Sequence, residues 1–181
     1  MLLVAAPMLG LLVPIPSGRE RFSELWLLGP TRMAEGYPFN VRVGEVYSIF
    51  VGVGNHMGRS SYYSVSVKFR NGTQPLPDVS GSTPSPLPPL YTFRFLVADE
   101  AMWESRLTFA ILDASIHADS VFIGNVSING VPFPVSSSAM WDSENTGFYF
   151  QLFFELWIYA DEYSSFRYHD RFVGLWLNMT G

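Results

Sequence analysis

The sequence predicts an all-β protein built as an antiparallel β-sandwich of about nine strands. Residues 40–69 contain two runs of alternating apolar and polar side chains, separated by a turn rich in glycine and small polar residues. Turn signals recur along the chain at the spacing of an antiparallel sandwich, and no stretch keeps a helical period. The length of 181 residues suits one domain, which would bury roughly 70% of its unfolded surface.

The first half of the chain supplies the predicted opening strands. Residues 22–28 form an apolar run that ends at the turn signal Gly29-Pro30. The strand over residues 40–53 is rich in valine, and residues 63–69 alternate as a half-buried strand does. In the turn between them, the side chains of Asn55 and His56 are expected to bond to turn backbone groups.

A proline-rich segment follows over residues 72–89. Proline donates no hydrogen bond to a β-ladder and fixes its own φ, so this segment is predicted to be an extended surface crossover. At its length, it is expected either to be mobile or to pack across a sheet edge.

The second half supplies the remaining strands. Residues 91–97 and 107–112 are predicted strands, joined by residues 98–104 as a single helical turn. Residues 121–128 and 131–135 flank Asn129-Gly130, the strongest two-residue hairpin signal in the chain. Residues 147–160 predict a long strand buried on both faces, and residues 172–179 the last one. Residues 115–143 are the part that could be an insertion.

Composition excludes several classes of function. Charged residues make up only 15% of the chain, the net charge is −5, and Lys68 is the single lysine beside ten scattered arginines. Nucleic-acid binding requires clustered cations, so no nucleic-acid partner is predicted. The absence of cysteine excludes disulfides and thiolate metal sites.

Residues 1–16 form an apolar leader ahead of the predicted β-sandwich domain, residues 17–181. The apolar run is interrupted by prolines and is shorter than the about 20 residues of a spanning helix. Three interpretations stay open: a truncated transmembrane anchor, a signal segment, or a buried core element.

Three segments resemble a known family: Phe22-Ser23-Glu24-Leu25-Trp26-Leu27-Leu28-Gly29-Pro30, the stretch over residues 34–45, and Val51-Gly52-Val53-Gly54-Asn55-His56. Gly174-Leu175-Trp176-Leu177-Asn178-Met179 is similar to its last strand. The family is an archaeal group of membrane-anchored proteins, known as domain of unknown function 1616. The resemblance implies an immunoglobulin-like extracytoplasmic domain and carries no established activity.

Three asparagines lie in sequons for N-glycosylation: Asn71, Asn125 and Asn178. Asn71 is favoured because it opens the predicted crossover. Glycosylation of these residues would fit an exported protein.

No catalytic motif is present, so the sequence predicts no enzyme and no firm metal or cofactor site. Carboxylates on loops suit Ca²⁺, and Asp161, Glu162 and Asp170 are the candidate ligands for a structural calcium ion. Among the tryptophans, Trp103 and Trp141 lie in loop-like surroundings and are candidates for exposed contacts. Trp26, Trp157 and Trp176 lie in strand patterns and are expected in the core.

These observations together favour a non-enzymatic, membrane-associated module outside the cytoplasm, with a structural or protein-interaction role in the cell envelope. One alternative is a self-assembling surface-layer or filament subunit that exchanges strands by β-augmentation. Another is a glycan-binding module that uses Trp103 or Trp141. The expected partners are therefore an envelope protein, a second copy of the chain, and the membrane through the N-terminal segment.

Overall fold

A computed structural model describes residues 20–180, and in that range the chain forms two facing β-sheets. The strands are β1 (Phe22–Leu28), β2 (Asn40–Val41), β3 (Tyr47–His56), β4 (Ser61–Asn71), β5 (Tyr91–Val97), β6 (Ala101–Ile111), β7 (Ala114–His117), β8 (Ser120–Ile128), β9 (Val131–Met140), β10 (Tyr149–Ala160) and β11 (Ser165–Met179). A short 3-10 helix, Asp161–Tyr163, joins β10 to β11.

The first sheet has the order β1-β3-β6-β8-β7, with β9 paired to the other side of β8, and the second has the order β2-β11-β10-β4-β5. The named strands pair antiparallel except β2 and β11, which share a two-residue parallel contact. The prediction of an all-β sandwich is confirmed. Residues 20–180 contain eleven strands and not the nine predicted, because the valine-rich run divides near Gly44 (φ +80) and β7 adds a short strand.

The core lies between the sheets and is formed by alternate side chains of the central strands. Val51 of β3, Val65 of β4 and Phe154 of β10 are each 0% exposed. Strand β10 is buried on both faces over most of its length, as the sequence predicts. The outward side chains of β4 are buried too, so another segment must cover this face of the second sheet.

That cover is the proline-rich crossover, which lies over the outer face of β4 and β10. Lys68 Nζ donates a hydrogen bond to Ser85 O (2.7 Å), and Ser85 N donates one to Glu155 Oε1 (2.8 Å). Lys68 Nζ also lies 2.8 Å from Glu155 Oε2 and forms a buried ion pair with it. We call Lys68, Ser85 and Glu155 the crossover clamp. The crossover is therefore packed, and over a sheet face rather than an edge.

Two local predictions need correction. The helical turn predicted over residues 98–104 is wrong: a tight turn with Glu100 at φ 59 leads directly into β6 at Ala101. Residues 115–143 form β7 to β9, and their Val121 and Ile123 are 0% exposed in the core, so this segment is integral to the sandwich.

The Asn129-Gly130 hairpin is confirmed. Both residues have positive φ, 51 and 79, as a two-residue turn that follows the strand twist requires. Asn129 Oδ1 also accepts a hydrogen bond from Thr108 N (2.9 Å), which joins the turn to β6.

Within residues 20–180, no helix has the length and apolar character needed to cross a membrane. The predictions for the apolar leader, residues 1–16, lie outside the described residues.

Candidate functional site

An aromatic groove runs along the seam where β1 of the first sheet meets β11 of the second. Two adjoining cavities of about 500 and 420 Å³ form it, and both are lined by Phe39 and Trp176. Trp26 and Tyr37 line the larger cavity, and Tyr149 lines the smaller one. We call these five residues the aromatic groove. Phe39 is 47% exposed and Trp176 42%, although Trp176 lies within a strand.

Two glycines make room for Trp26 and for Gln151, the strand partner of Trp176. A Cβ atom built on Gly52 would come within 2.2 Å of the Trp26 ring, and one on Gly174 within 2.3 Å of Gln151 Nε2. The missing side chain at Gly52 therefore lets the Trp26 indole lie close against β3. The Arg70 guanidinium lies over the Trp176 ring, 5.7 Å from its centre. This cation–π contact holds the indole in place.

A polar turn closes one end of the groove. Asp142 Oδ1 accepts hydrogen bonds from Glu144 N (2.9 Å) and Asn145 N (3.0 Å), and Asp142 Oδ2 accepts one from Asn145 Nδ2 (2.8 Å). The hydrogen bond from the Asn145 side chain is the main reason that the Asp142 pKa is lowered from its usual value. Asp142 therefore stands at the groove as an ionised carboxylate.

The two tryptophans chosen from the sequence have different surroundings. Trp141 is 48% exposed, rests against the edge of Phe148, and lines a further cavity of about 490 Å³ beside Asn71. Trp103 does not lie in a loop: it is in β6, half-buried, with its ring stacked 3.6 Å from that of Phe95. The core assignment of Trp176 is wrong, because its strand lies at the seam and its side of the sheet is left partly uncovered.

A second surface is the free edge of β5, which pairs with β4 on one side and with no other described strand. Leu96, at the end of β5, is 68% exposed, and Met102, at the start of β6, is 73% exposed. Half-buried Phe93 and Phe95 pack on Trp103 behind them. We call β5 with Leu96 and Met102 the open edge.

A buried hydrogen-bond chain joins the two sheets near the start of β1. Tyr63 OH donates to Asn55 Oδ1 (2.9 Å), Ser23 Oγ lies 2.7 Å from Tyr63 OH, and His169 Nε2 lies 3.0 Å from Ser23 Oγ. A serine hydroxyl beside a histidine also occurs in nucleophilic catalysis. Here Ser23 is 1% exposed and lies between two partners, so we interpret the chain as a structural link.

The pKa values of two histidines are shifted in opposite directions from the usual value of 6.5. The hydrogen bond to Glu100 raises the pKa of His56 above 6.5, while burial lowers the pKa of His169 below 6.5. By linkage, the His56 contribution to stability is present below pH 6.5 and is lost as the pH rises through its raised pKa. The His169 contribution is present above pH 6.5 and is lost as the pH falls through its lowered pKa.

NMR titration of the imidazole protons measures both pKa values, and Glu100→Gln should lower the titration midpoint of His56. Two midpoints that both lie above 6.5, or both below it, would contradict this assignment.

The calcium candidates are not gathered into one site. Asp161 and Glu162 lie in the 3-10 helix, where Asp161 Oδ2 is 3.9 Å from Arg59 Nη1. Asp170 lies in β11 at φ 51. Across residues 20–180, no group of three or more His, Asp or Glu side chains is arranged to hold a metal ion.

The three sequons differ in access. Asn178 is 8% exposed, and its Nδ2 donates to Asn40 Oδ1 (3.1 Å), so a glycan there would break a buried contact. Asn71 Nδ2 donates to Ser138 O (2.8 Å), and Asn125 Nδ2 donates to Asp113 Oδ2 (2.6 Å). Both of these asparagines are only half-buried, so they are the more accessible sequons.

Comparison with known proteins gives a family and no activity. No curated protein matches the chain. A family model described as a domain of unknown function (DUF1616) matches residues 16–117, which is more than half of the chain. The match covers β1 to β7, and therefore includes the Trp26, Tyr37 and Phe39 positions of the groove and all of β5. The chain belongs to the family of domain of unknown function 1616.

Proposed function

We propose that this domain is a non-enzymatic, extracytoplasmic module of the archaeal cell envelope, held at the membrane, that binds another envelope protein along the open edge. The single observation that carries the proposal is the unprotected state of β5. A free strand edge presents unpaired backbone N–H and C=O groups, and such edges recruit an extended segment of another chain.

Among the described residues, the edge strands β1, β2, β7 and β9 are protected. Strand β9 contains Pro132 and Pro134, β7 has four residues, and β2 has two. On β1, Ser23 O accepts a hydrogen bond from Arg171 Nε (2.6 Å) and Leu27 O accepts one from Tyr37 OH (2.8 Å). Strand β5 has seven residues, no proline and a single charge, and exposed apolar side chains flank it.

The extracytoplasmic location is supported by the apolar leader, the sequons, the low content of charged residues and the resemblance to membrane-anchored proteins. Cell fractionation tests it directly. We expect the protein in the membrane or surface fraction and accessible to protease added to intact cells, whereas a cytosolic, protease-protected pool would overturn the proposal.

Site-specific photo-crosslinking tests the open edge. A crosslinking amino acid at Leu96 is expected to trap one partner in intact cells. The matched control is Val46, which is 71% exposed. It lies next to Tyr47, the first residue of β3, at the end of that strand away from the open edge. Equal adducts at both positions, or none at Leu96, would refute the open edge as the contact surface.

The same edge also favours a second candidate, a self-assembling surface subunit, because a second copy could supply the pairing strand. Sedimentation velocity of the purified chain distinguishes it: Leu96→Lys should abolish assembly. Deleting residues 1–16 separates the two functions. Loss of assembly with folding intact supports the subunit, and loss of membrane association alone supports the anchored module.

A further inference from the structure

We propose that the aromatic groove is a binding site for a neutral oligosaccharide. This goes beyond the protein-binding role above, because the groove and the open edge lie at opposite sides of the second sheet, whose order is β2-β11-β10-β4-β5.

Flat aromatic rings supply the first half of the argument. Phe39 and Trp176 are 47% and 42% exposed, and the rings of Phe39 and Tyr149 lie 6.1 Å apart with a 35° tilt. The C–H faces of a pyranose are apolar and pack on such rings, while its hydroxyls point outwards. Trp176 lies in a long strand and is held by Arg70, so the platform is rigid before ligand arrives.

The polar end of the groove determines which ligand fits. An ionised carboxylate has about four acceptor positions, and three of those on Asp142 are used within its own turn. The remaining acceptor position can take a hydrogen bond from a sugar hydroxyl. The Tyr149 hydroxyl donates a hydrogen bond to Asn145 O. Its oxygen can therefore still accept a hydrogen bond from a second sugar hydroxyl.

Charge selects against the other occupants. The Asp142 carboxylate repels an acidic sugar or a phosphate. Among the described residues, no lysine, arginine or histidine lines either cavity, and the Arg70 guanidinium beside the Trp176 ring donates hydrogen bonds to Asn71 O and Gly72 O. A purely apolar ligand would cover the remaining acceptor position of the carboxylate without giving it a donor. The cavity volumes, about 420 and 500 Å³, fall within the usual range of small-molecule sites, about 300–1,000 Å³. Because the two cavities adjoin, the groove suits an oligosaccharide rather than a single sugar.

A glycan array that carries neutral and acidic oligosaccharides, followed by calorimetric titration with the best neutral ligand, tests the proposal. Trp176→Ala is expected to weaken binding by at least about tenfold, as loss of an aromatic anchor does. The matched control is Tyr163→Ala, which removes an aromatic ring of 57% exposure from the 3-10 helix that follows β10 and should leave the affinity unchanged.

Three results would overturn the site: no binding to any neutral oligosaccharide, preference for acidic ones, or equal weakening by both variants. Trp176→Phe keeps a ring in place and serves if the alanine variant fails to fold, with partial loss expected. Crosslinking at Leu96 reads the open edge separately, so the failure of one site leaves the other measurable.

Discussion

Replacing Lys68 with methionine is expected to lower the free energy of unfolding by about 3–5 kcal/mol. The side chains of Lys68 and Glu155 are 4% and 0% exposed, so the substitution leaves a buried carboxylate without its cation. It also removes the hydrogen bond to Ser85 O. This is one of the two hydrogen bonds that hold Ser85 of the crossover to Lys68 and Glu155. The crossover should therefore loosen before the rest of the sandwich unfolds.

Chemical denaturation measures the loss, and hydrogen exchange over residues 72–89 should report the loosened crossover. The double variant Lys68→Met/Glu155→Leu removes both charges and is expected to recover most of the stability, because well-packed apolar groups can replace a buried pair. Arg59→Met is the exposed control, since the Arg59 and Asp161 side chains are 62% and 81% exposed. Its cost is expected to stay below about 1 kcal/mol. An equal cost for the double and single variants would disprove this view of the clamp.

Replacing Asn55 with aspartate is expected to cost about 3 kcal/mol or more at neutral pH. Asn55 is 0% exposed, and its Nδ2 donates to Arg59 O (2.8 Å), Val97 O (2.9 Å) and Ala98 O (3.1 Å). One amide thus joins the β3–β4 turn to the β5–β6 turn. An aspartate of the same shape would aim a carboxylate at three carbonyl oxygens.

The pH dependence provides a second test of the same variant. Burial among acceptors raises the pKa of the introduced carboxyl above its usual value. Because the folded-state pKa is raised, the variant should be relatively more stable at about pH 4 than at about pH 7. Asn129→Asp is the matched control: Asn129 uses its Oδ1 as an acceptor, which aspartate retains, so a change within about 0.5 kcal/mol is expected. Thermal melts at both pH values measure the difference, and a pH-independent loss would argue against this assignment of the amide.

Much of the fold could be predicted from local patterns. β-branched alternation located β3 and β4, and Asn129-Gly130 located a hairpin because few other residue pairs accept two positive φ values. The role of Asn55 in the turn was also predicted, since asparagine side chains bond readily to nearby backbone. The amide's bonds to Val97 and Ala98 could not be predicted, because they cross more than forty residues of sequence.

The candidate surfaces were harder to predict, since exposure is a property of neighbouring strands. The sequence predicted a loop at Trp103, whereas the structure has this residue in β6 with its ring stacked on Phe95. Trp176 looked like a core residue until β11 placed it at the seam between the sheets. The open edge likewise depends on the order of strands in each sheet, which local periodicity does not encode.

The sequence by itself determined the class of structure, because a period of two and turn-forming residues act over a few neighbouring positions. It also determined the family, domain of unknown function 1616. Only the tertiary structure decided how distant segments are arranged: Lys68 is buried against Glu155, Phe39 and Trp176 line the same two cavities, and β5 pairs with no described strand other than β4. These arrangements depend on packing between segments far apart in the chain, and such packing is fixed only when both sheets have assembled.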